Sequence, residues 1–428
     1  MAIAKNVRTW ADVEKINSIR QEKIFNEIND KDISLLLEDP LKNDMILNMG
    51  PQHPATHGVL RVLLRLDGET VIKAVPELGY LHRGYEKLAE NMTMHEFIPH
   101  TDRLDYLSPL SNNVAITLAY DNALGIEAPP RAQWIRTLVS ELARISSHLM
   151  AMGSTCMDAG ALTILLWTFI EREKLYDIFE LISGVRFTTS YSRIGGVAND
   201  ISDEVIAMII KWADKFPGEL DYFERLVHKN RIFVDRLAGN CIMPPEKAIE
   251  LGLTGPTLRG SGIARDLRRD EPYLVYDQLD FNVITYPEGD VWARYMVRIQ
   301  EMKESLKMVY QIIDKMPKGP IRLRSHRNSV PIKKEVYTRM ENLINDFMLI
   351  NFGAMPASGE TYTAIESPKG ELGFFIVSNG TGYPWKLKIR SPSTSNLQGL
   401  SYMVEGSMIA DVILAIGSID PIMGEADK

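Results

Sequence analysis

The stretch PPRAQWIRTLVSELARISSHLM, residues 129–150, carries apolar side chains at Trp134, Ile135, Leu138, Val139, Leu142, Ile145, Leu149 and Met150. Steps of three and four line them along one face of a long helix, and Pro129-Pro130 marks its start. Downstream, Gly153 and Gly160 bracket an expected break, and a second helix runs through Trp167 and Phe179 to Gly184. More amphipathic helices are expected from Ser202 (interrupted at Pro217-Gly218), over 291–316, over 335–350 and near 397–416. Upstream, Met45–Met49, Val59–Leu66 and Thr70–Val75 are short apolar runs, the last two separated by Asp67-Gly68, a hairpin signal. A second strand-like patch covers 373–377 and 385–389. The fold class is α+β, mostly helical, with a small antiparallel sheet near the N-terminus. Residues 1–43, charged and weakly amphipathic, read as an N-terminal extension. Residues 44–428 read as one domain, with the sheet over 44–76 and the helical body over 77–428.

The 428 residues hold 48 Lys and Arg against 56 Asp and Glu, a formal net charge of −8. That balance argues against nucleic-acid binding, which needs a basic face for phosphates. Cys156 and Cys241 are too few for a disulfide framework or for four thiolate ligands to an iron–sulfur cluster. The longest stretch free of Asp, Glu, Lys and Arg, residues 45–60, contains Pro51 and Pro54 and falls short of the ~20 apolar residues that cross a bilayer. Work at a membrane therefore requires another subunit to hold the chain there.

Five of the eight histidines, His53, His57, His82, His95 and His100, fall between positions 53 and 100. His53 and His57 stand four apart, but Pro51 and Pro54 forbid a regular helix and no Glu follows His53, so the segment is a loop between strands rather than a zinc-binding helix. Such a loop either binds a ligand or merely caps a turn. The segments 81–86 and 100–106 alternate acids and arginines, which suggests buried ion pairs around Tyr106. Asp158, before Ala159-Gly160, reads as the N-cap of the following helix. These residue types mark one zone without naming a reaction.

Taken together, GPQHPATHG (50–58), ELGYLHRGYEK (77–87), TDRLDY (101–106), ERE (171–173), LRGSGIARDLRRDEPY (258–273), SPKGELG (367–373) and GSIDP (417–421) resemble the family of 49-kDa, or D, subunits of bacterial NADH:quinone oxidoreductase, respiratory complex I. The resemblance runs in order from about Asp44 to the C-terminus and implies a fold like the large subunit of nickel–iron hydrogenases. In hydrogenases two Cys-x-x-Cys pairs hold the metals. Their positions match Asp105 and Ser108, and Ile422 and Glu425, here. No thiolate remains, so a hydrogenase reading fails and no metal is expected on this chain. A pure scaffold would leave His57, Tyr106 and Asp158 without a task.

The resemblance implies a site where quinone, ubiquinone or menaquinone, takes two electrons and two protons. Tyr106 and His57 match the family's hydrogen-bond donors to the headgroup, and Asp158 matches the partner of that histidine. A carboxylate beside an imidazole raises its pKa and fixes its tautomer. His53 is expected to shape the loop. Arg83 and Arg103 match arginines that face the terminal [4Fe–4S] cluster, which the family keeps in an adjacent small subunit. Other implied partners are a 30-kDa-like subunit, a ferredoxin-like subunit and a quinone-channel membrane subunit. The implied location is peripheral, on the cytoplasmic face of the bacterial inner membrane, with electrons from NADH, ferredoxin or another donor. One position departs from the pattern: Thr188 stands where many members carry a histidine near the cluster. A threonine hydroxyl cannot take up a proton when the cluster is reduced. A lower potential is therefore expected, one suited to menaquinone, with little pH dependence between about pH 6 and 8. Potentiometric titration followed by EPR checks this, and a slope near ~59 mV per pH unit contradicts it.

Overall fold

In a computed structural model, residues 45–53, 56–323 and 328–428 are described, and the N-terminal extension expected over 1–43 lies outside them. Strands β1 (Met45–Met49), β2 (Arg61–Asp67) and β3 (Thr70–Glu77) form an antiparallel meander in that order. Asp67 pairs with Thr70 across the Asp67-Gly68 turn, as the sequence predicts. Most of the chain beyond this sheet is helical. α1 (Tyr85–Ala89), α2 (Met94–Thr101), α3 (Pro109–Leu124), α4 (Pro130–Asp158) and α5 (Leu162–Ser183) come first. α6 (Asp203–Ala213) and α7 (Phe216–Val227) follow, Ser202 capping the first and Pro217 sitting in the first turn of the second. The long α8 (Val291–Lys315) starts from Asp290, whose carboxylate accepts from the Ala293 N–H.

Three features depart from the sequence reading. First, α4 is not a helix with one buried face: 23 of its 29 residues are buried, so its polar residues need partners inside the protein. They have them. Arg136 pairs with Asp121 at 2.8 Å, His148 with Glu301 at 2.9 Å, and Glu141 with Arg144 and Arg268, each at 3.3 Å. The Gly- and Arg-rich segment 255–269 belongs to this interior, its Arg259 bridging Glu301 and Glu366 at 2.8 and 2.7 Å.

Second, the break expected between Gly153 and Gly160 is confined to residues 159–161 and does not begin at Gly153. The glycine sits inside α4 because α5 crosses there: a Cβ would lie 2.3 Å from Thr168 Oγ1 and 3.1 Å from Leu165 Cδ1. Asp158 is consequently the last residue of α4, and the N-cap of α5 is Ala161. Third, a second three-stranded antiparallel sheet joins the strand-like patch to a segment not recognised as a strand, in the order β4 (Gly359–Ser367), β5 (Gly370–Ser378) and β6 (Lys386–Arg390). The expected helix over 335–350 is α9 (Met340–Phe352). The C-terminal helix expected near 397–416 is three shorter ones, α10 (Pro392–Gln398), α11 (Leu400–Val404) and α12 (Ile409–Ile419), and α13 (Met423–Ala426) follows them.

The α4–α5 crossing fixes the end of α4 and therefore Asp158. Gly153→Ala is expected to destabilise the protein by about 1–3 kcal/mol through overpacking, read as a lower midpoint in chemical denaturation. An unchanged midpoint would show that Thr168 moves aside at no cost.

Candidate functional site

The loop 50–58 connects β1 to β2, whose last pair before it is Met49 with Val62. Thr56, fully buried, closes it: its amide donates to the His53 carbonyl at 3.1 Å, and its hydroxyl lies 2.8 Å from that oxygen and 3.0 Å from the Gly58 carbonyl. His53 contributes a backbone bridge to Gly58 and is exposed. His57 takes a left-handed backbone, φ 51°, and its ring turns inward to Asp158. Nε2 and Oδ2 are 2.9 Å apart, with side chains 12% and 4% exposed. Gly417 in α12 makes room for the pair: a Cβ there would lie 2.8 Å from Asp158 Oδ2 and 3.4 Å from His57 Nε2.

Asp158 ends a helix, where the carbonyl dipoles disfavour a carboxylate and favour a cation beside it. Burial by itself lowers the His57 pKa, but the hydrogen bond and charge of Asp158, helped by Asp420 and opposed by Arg298, raise it above the ordinary 6.5. The protonated ring is therefore stabilised by its partner.

Tyr106 lies in the turn between α2 and α3. Asn112 in α3 holds that turn, its amide donating to the Thr101 and Asp105 carbonyls at 3.1 and 2.9 Å. The Tyr106 ring is half-buried, and no hydrogen bond from its phenol is made to the described residues. Burial raises the phenol's pKa, and the charges of Asp105 and Asp420 add to that while Lys369 opposes it. The ion pair expected near Tyr106 is present at Asp105, but no arginine of 81–86 or 100–106 makes it. Its cation is Lys369, from the β4–β5 turn, whose Nζ lies 3.3 Å from Asp105 Oδ2, 3.2 Å from Asp420 Oδ2 and 2.8 Å from Ser147 Oγ in α4. The lysine is fully buried, and the two carboxylates hold it in the charged form against the pull of burial.

Asp105, Ser108, Ile422 and Glu425 are all buried, and the two segments that carry them touch: a Cβ on Gly424 would lie 2.6 Å from the Leu104 carbonyl. Among the described residues no group of three or more His, Cys, Asp or Glu side chains could hold a metal ion. Cys156 and Cys241 are buried and unpaired, and burial pushes both thiols up, Cys241 to about 11.

Arg83 and Arg103 are exposed neighbours. Arg83 donates to the Arg103 carbonyl at 3.0 Å and stacks over Tyr85 at 4.5 Å. Arg103 donates to the Pro99 carbonyl at 2.6 Å, and both guanidiniums depress the neighbouring His100 after burial has done most of it. Thr188, half-buried, holds φ 53°, a region that β-branched residues avoid and that histidine tolerates better. A surface hollow of about 690 Å³ lined by Arg322, Glu335 and Arg339 shares no residue with this site. No helix of the described residues is long and apolar enough to cross a membrane.

The His57–Asp158 pair and the Tyr106 phenol both lie within electrostatic reach of Asp420, which the buried Lys369 holds. Residues 158–428 match the family described as the respiratory-chain NADH dehydrogenase 49-kDa subunit, and the chain belongs to that family. It is 56% identical over 410 residues to a D-type NADH-quinone oxidoreductase subunit of Chloroherpeton thalassium, covering 95% of this chain and 93% of that one. The D-type counterpart from Salinibacter ruber is 55% identical over 391 residues (91% and 87% covered), and one from Rhizobium etli 50% over 386 (90% and 96%).

Sequence reasoning had no role for Lys369, Asp420 or Gly417, although all three stand in the family-like segments 367–373 and 417–421. Pro-Lys-Gly reads as an exposed turn, and only the fold buries it. Asp158→Asn keeps the shape of the pair and removes its charge, leaving burial to dominate. His57 is then expected to titrate below its wild-type value in an NMR titration of the histidine rings. The sign follows from the raised pKa: the stability that the pair contributes is complete below about pH 6.5 and is lost as pH rises through the folded value. An unaltered His57 titration would assign the shift to Asp420 instead.

Proposed function

We propose that this chain forms the quinone headgroup site of a proton-translocating NADH:quinone oxidoreductase, beside the terminal [4Fe–4S] cluster of an adjacent small subunit. The observation that carries this reading is that two proton donors share one buried charge centre. His57, bonded to Asp158, and Tyr106, with an uncommitted phenol, both lie within electrostatic reach of Asp420.

A quinone becomes a quinol by taking two electrons and two protons, and negative charge develops on its carbonyl oxygens as electrons arrive. Donors aimed at those oxygens lower the barrier, most effectively in a site from which water is excluded. Tyr106 donates its O–H to one carbonyl, and His57, held protonated by Asp158, donates to the same headgroup. Each gives one proton as the oxygens become hydroxyls. Asp158 fixes the imidazole so that the donated proton points away from the carboxylate. When present in its own subunit, the cluster supplies the electrons. Arg83 and Arg103, exposed and without a carboxylate within 4 Å among the described residues, support the reading that this face lies toward the cluster, where positive charge favours the reduced form.

The relatives are named as NADH-quinone oxidoreductase subunits, which supports an assembly with a 30-kDa-like subunit, a ferredoxin-like subunit and a membrane subunit that admits quinone. The chain is then a peripheral subunit on the cytoplasmic face of the bacterial inner membrane. Tyr106→Phe removes one hydroxyl and little volume. In the assembled complex it is expected to cut quinone reduction at least tenfold, about 1.4 kcal/mol in the barrier, while reduction of an artificial acceptor by NADH continues. Wild-type quinone turnover with an unchanged KM would overturn the assignment.

A further inference from the structure

Glu425 is a fully buried carboxylate without an ion pair among the described residues. One oxygen, Oε1, accepts from the Ser393 amide at 3.0 Å and hydroxyl at 2.5 Å, while Oε2 has no hydrogen-bond partner there. Its neighbour Asp105 is also fully buried and has an oxygen, Oδ2, with no hydrogen bond, 3.3 Å from the Lys369 ammonium. Asp105, Asp420 and Glu425 thus surround a single lysine that bridges only the first two. Two arginines act on this group from farther off. Arg172 in α5 donates to Ser146 and Tyr176, and Arg298 in α8 donates to backbone carbonyls, so neither is bonded to Glu425. The other charged neighbour is Lys428. An unpaired carboxylate away from water is far costlier ionised than protonated.

We propose that Glu425 holds a proton in the resting enzyme and returns it, by way of Asp105 and Lys369, to Tyr106 after the phenol has protonated the quinone. This inference rests on the headgroup reading above and adds a group that never touches quinone. The balance is simple: the Glu425 O–H bond breaks, the Tyr106 O–H bond re-forms, and no electron moves. Asp105 is the residue before Tyr106, and Asp105 and Lys369 act electrostatically on both Tyr106 and Glu425, so they couple the charge left on the phenolate to the group that must release the proton. Solvent refills the carboxylate between turnovers. Burial, and after it the charge of Asp105, push Glu425 up to about 7 against the opposing pull of Ser393 and Lys369, so the store is emptied by a modest rise in pH.

The test uses the whole complex carrying Glu425→Gln, with turnover measured from pH 6 to 9 and artificial-acceptor reduction as the check on assembly. Wild-type quinone reduction is expected to decline as pH rises through about 7. The variant is expected to turn over about tenfold more slowly at pH 6 with KM unchanged, and to keep only the part of the decline that His57 carries, which Asp158→Asn moves and Glu425→Gln does not. Infrared difference spectra are expected to lose one protonated-carboxyl band. Wild-type turnover with the wild-type pH profile and the band retained would overturn the proposal. Should the glutamine variant fail to assemble, Glu425→Asp keeps a carboxyl, and its decline is expected at a different pH; an unmoved decline overturns the proposal equally. A silent Glu425→Gln beside a defective Tyr106→Phe removes this inference alone, whereas a silent Tyr106→Phe removes the headgroup reading.

Discussion

A single ammonium group holds the centre of this protein together. Lys369 Nζ lies between Asp105, Asp420 and Ser147, and so joins the turn before α3, the end of α12 and the middle of α4 through one buried cation. Removing it would leave two carboxylates buried without an ion-pair partner among the described residues, an arrangement that typically costs about 3–5 kcal/mol. The segments it joins are those that carry or support the two donors: Tyr106 follows Asp105, and Gly417, against which His57 and Asp158 pack, precedes Asp420 by three residues.

The two side chains proposed as donors are prepared differently. His57 is made a better proton holder by a partner at a helix end, while Tyr106 is made a worse anion by burial and by Asp105. In the proposed site both effects would keep the protons on the protein until negative charge develops on a headgroup. Rigid surroundings support this timing. α4 is enclosed along nearly its whole length, and Asp158 at its end packs against His57 and Gly417.

Much of this was legible in the amino-acid sequence, for identifiable reasons. The 3.6-residue period from Trp134 to Met150 found α4, Asp67-Gly68 found the first hairpin, and Ser202 found the start of α6. Gly153 misled because a glycine required for close helix contact looks the same in sequence as one that ends a helix, and the contact with Thr168 is tertiary. The strand β4 went unread because Gly359–Ser367, GETYTAIES, carries its apolar residues late and its burial comes from packing on α3. His57, Tyr106 and Asp158 were singled out through the ordered motifs rather than through spacing, and the structure brings the first and third together. The 101-residue separation of His57 from Asp158 gives no local signal, and Lys369 sits in a Pro-Lys-Gly turn that composition assigns to the surface.

The account turns on where the quinone headgroup sits. A cryo-EM structure of the assembled complex with a short-chain quinone bound measures this most directly. A headgroup with carbonyl oxygen within about 3 Å of the Tyr106 hydroxyl and of the His57 ring is the predicted result. A headgroup resolved elsewhere, with both side chains unengaged and the His57–Asp158 pair undisturbed, would contradict it.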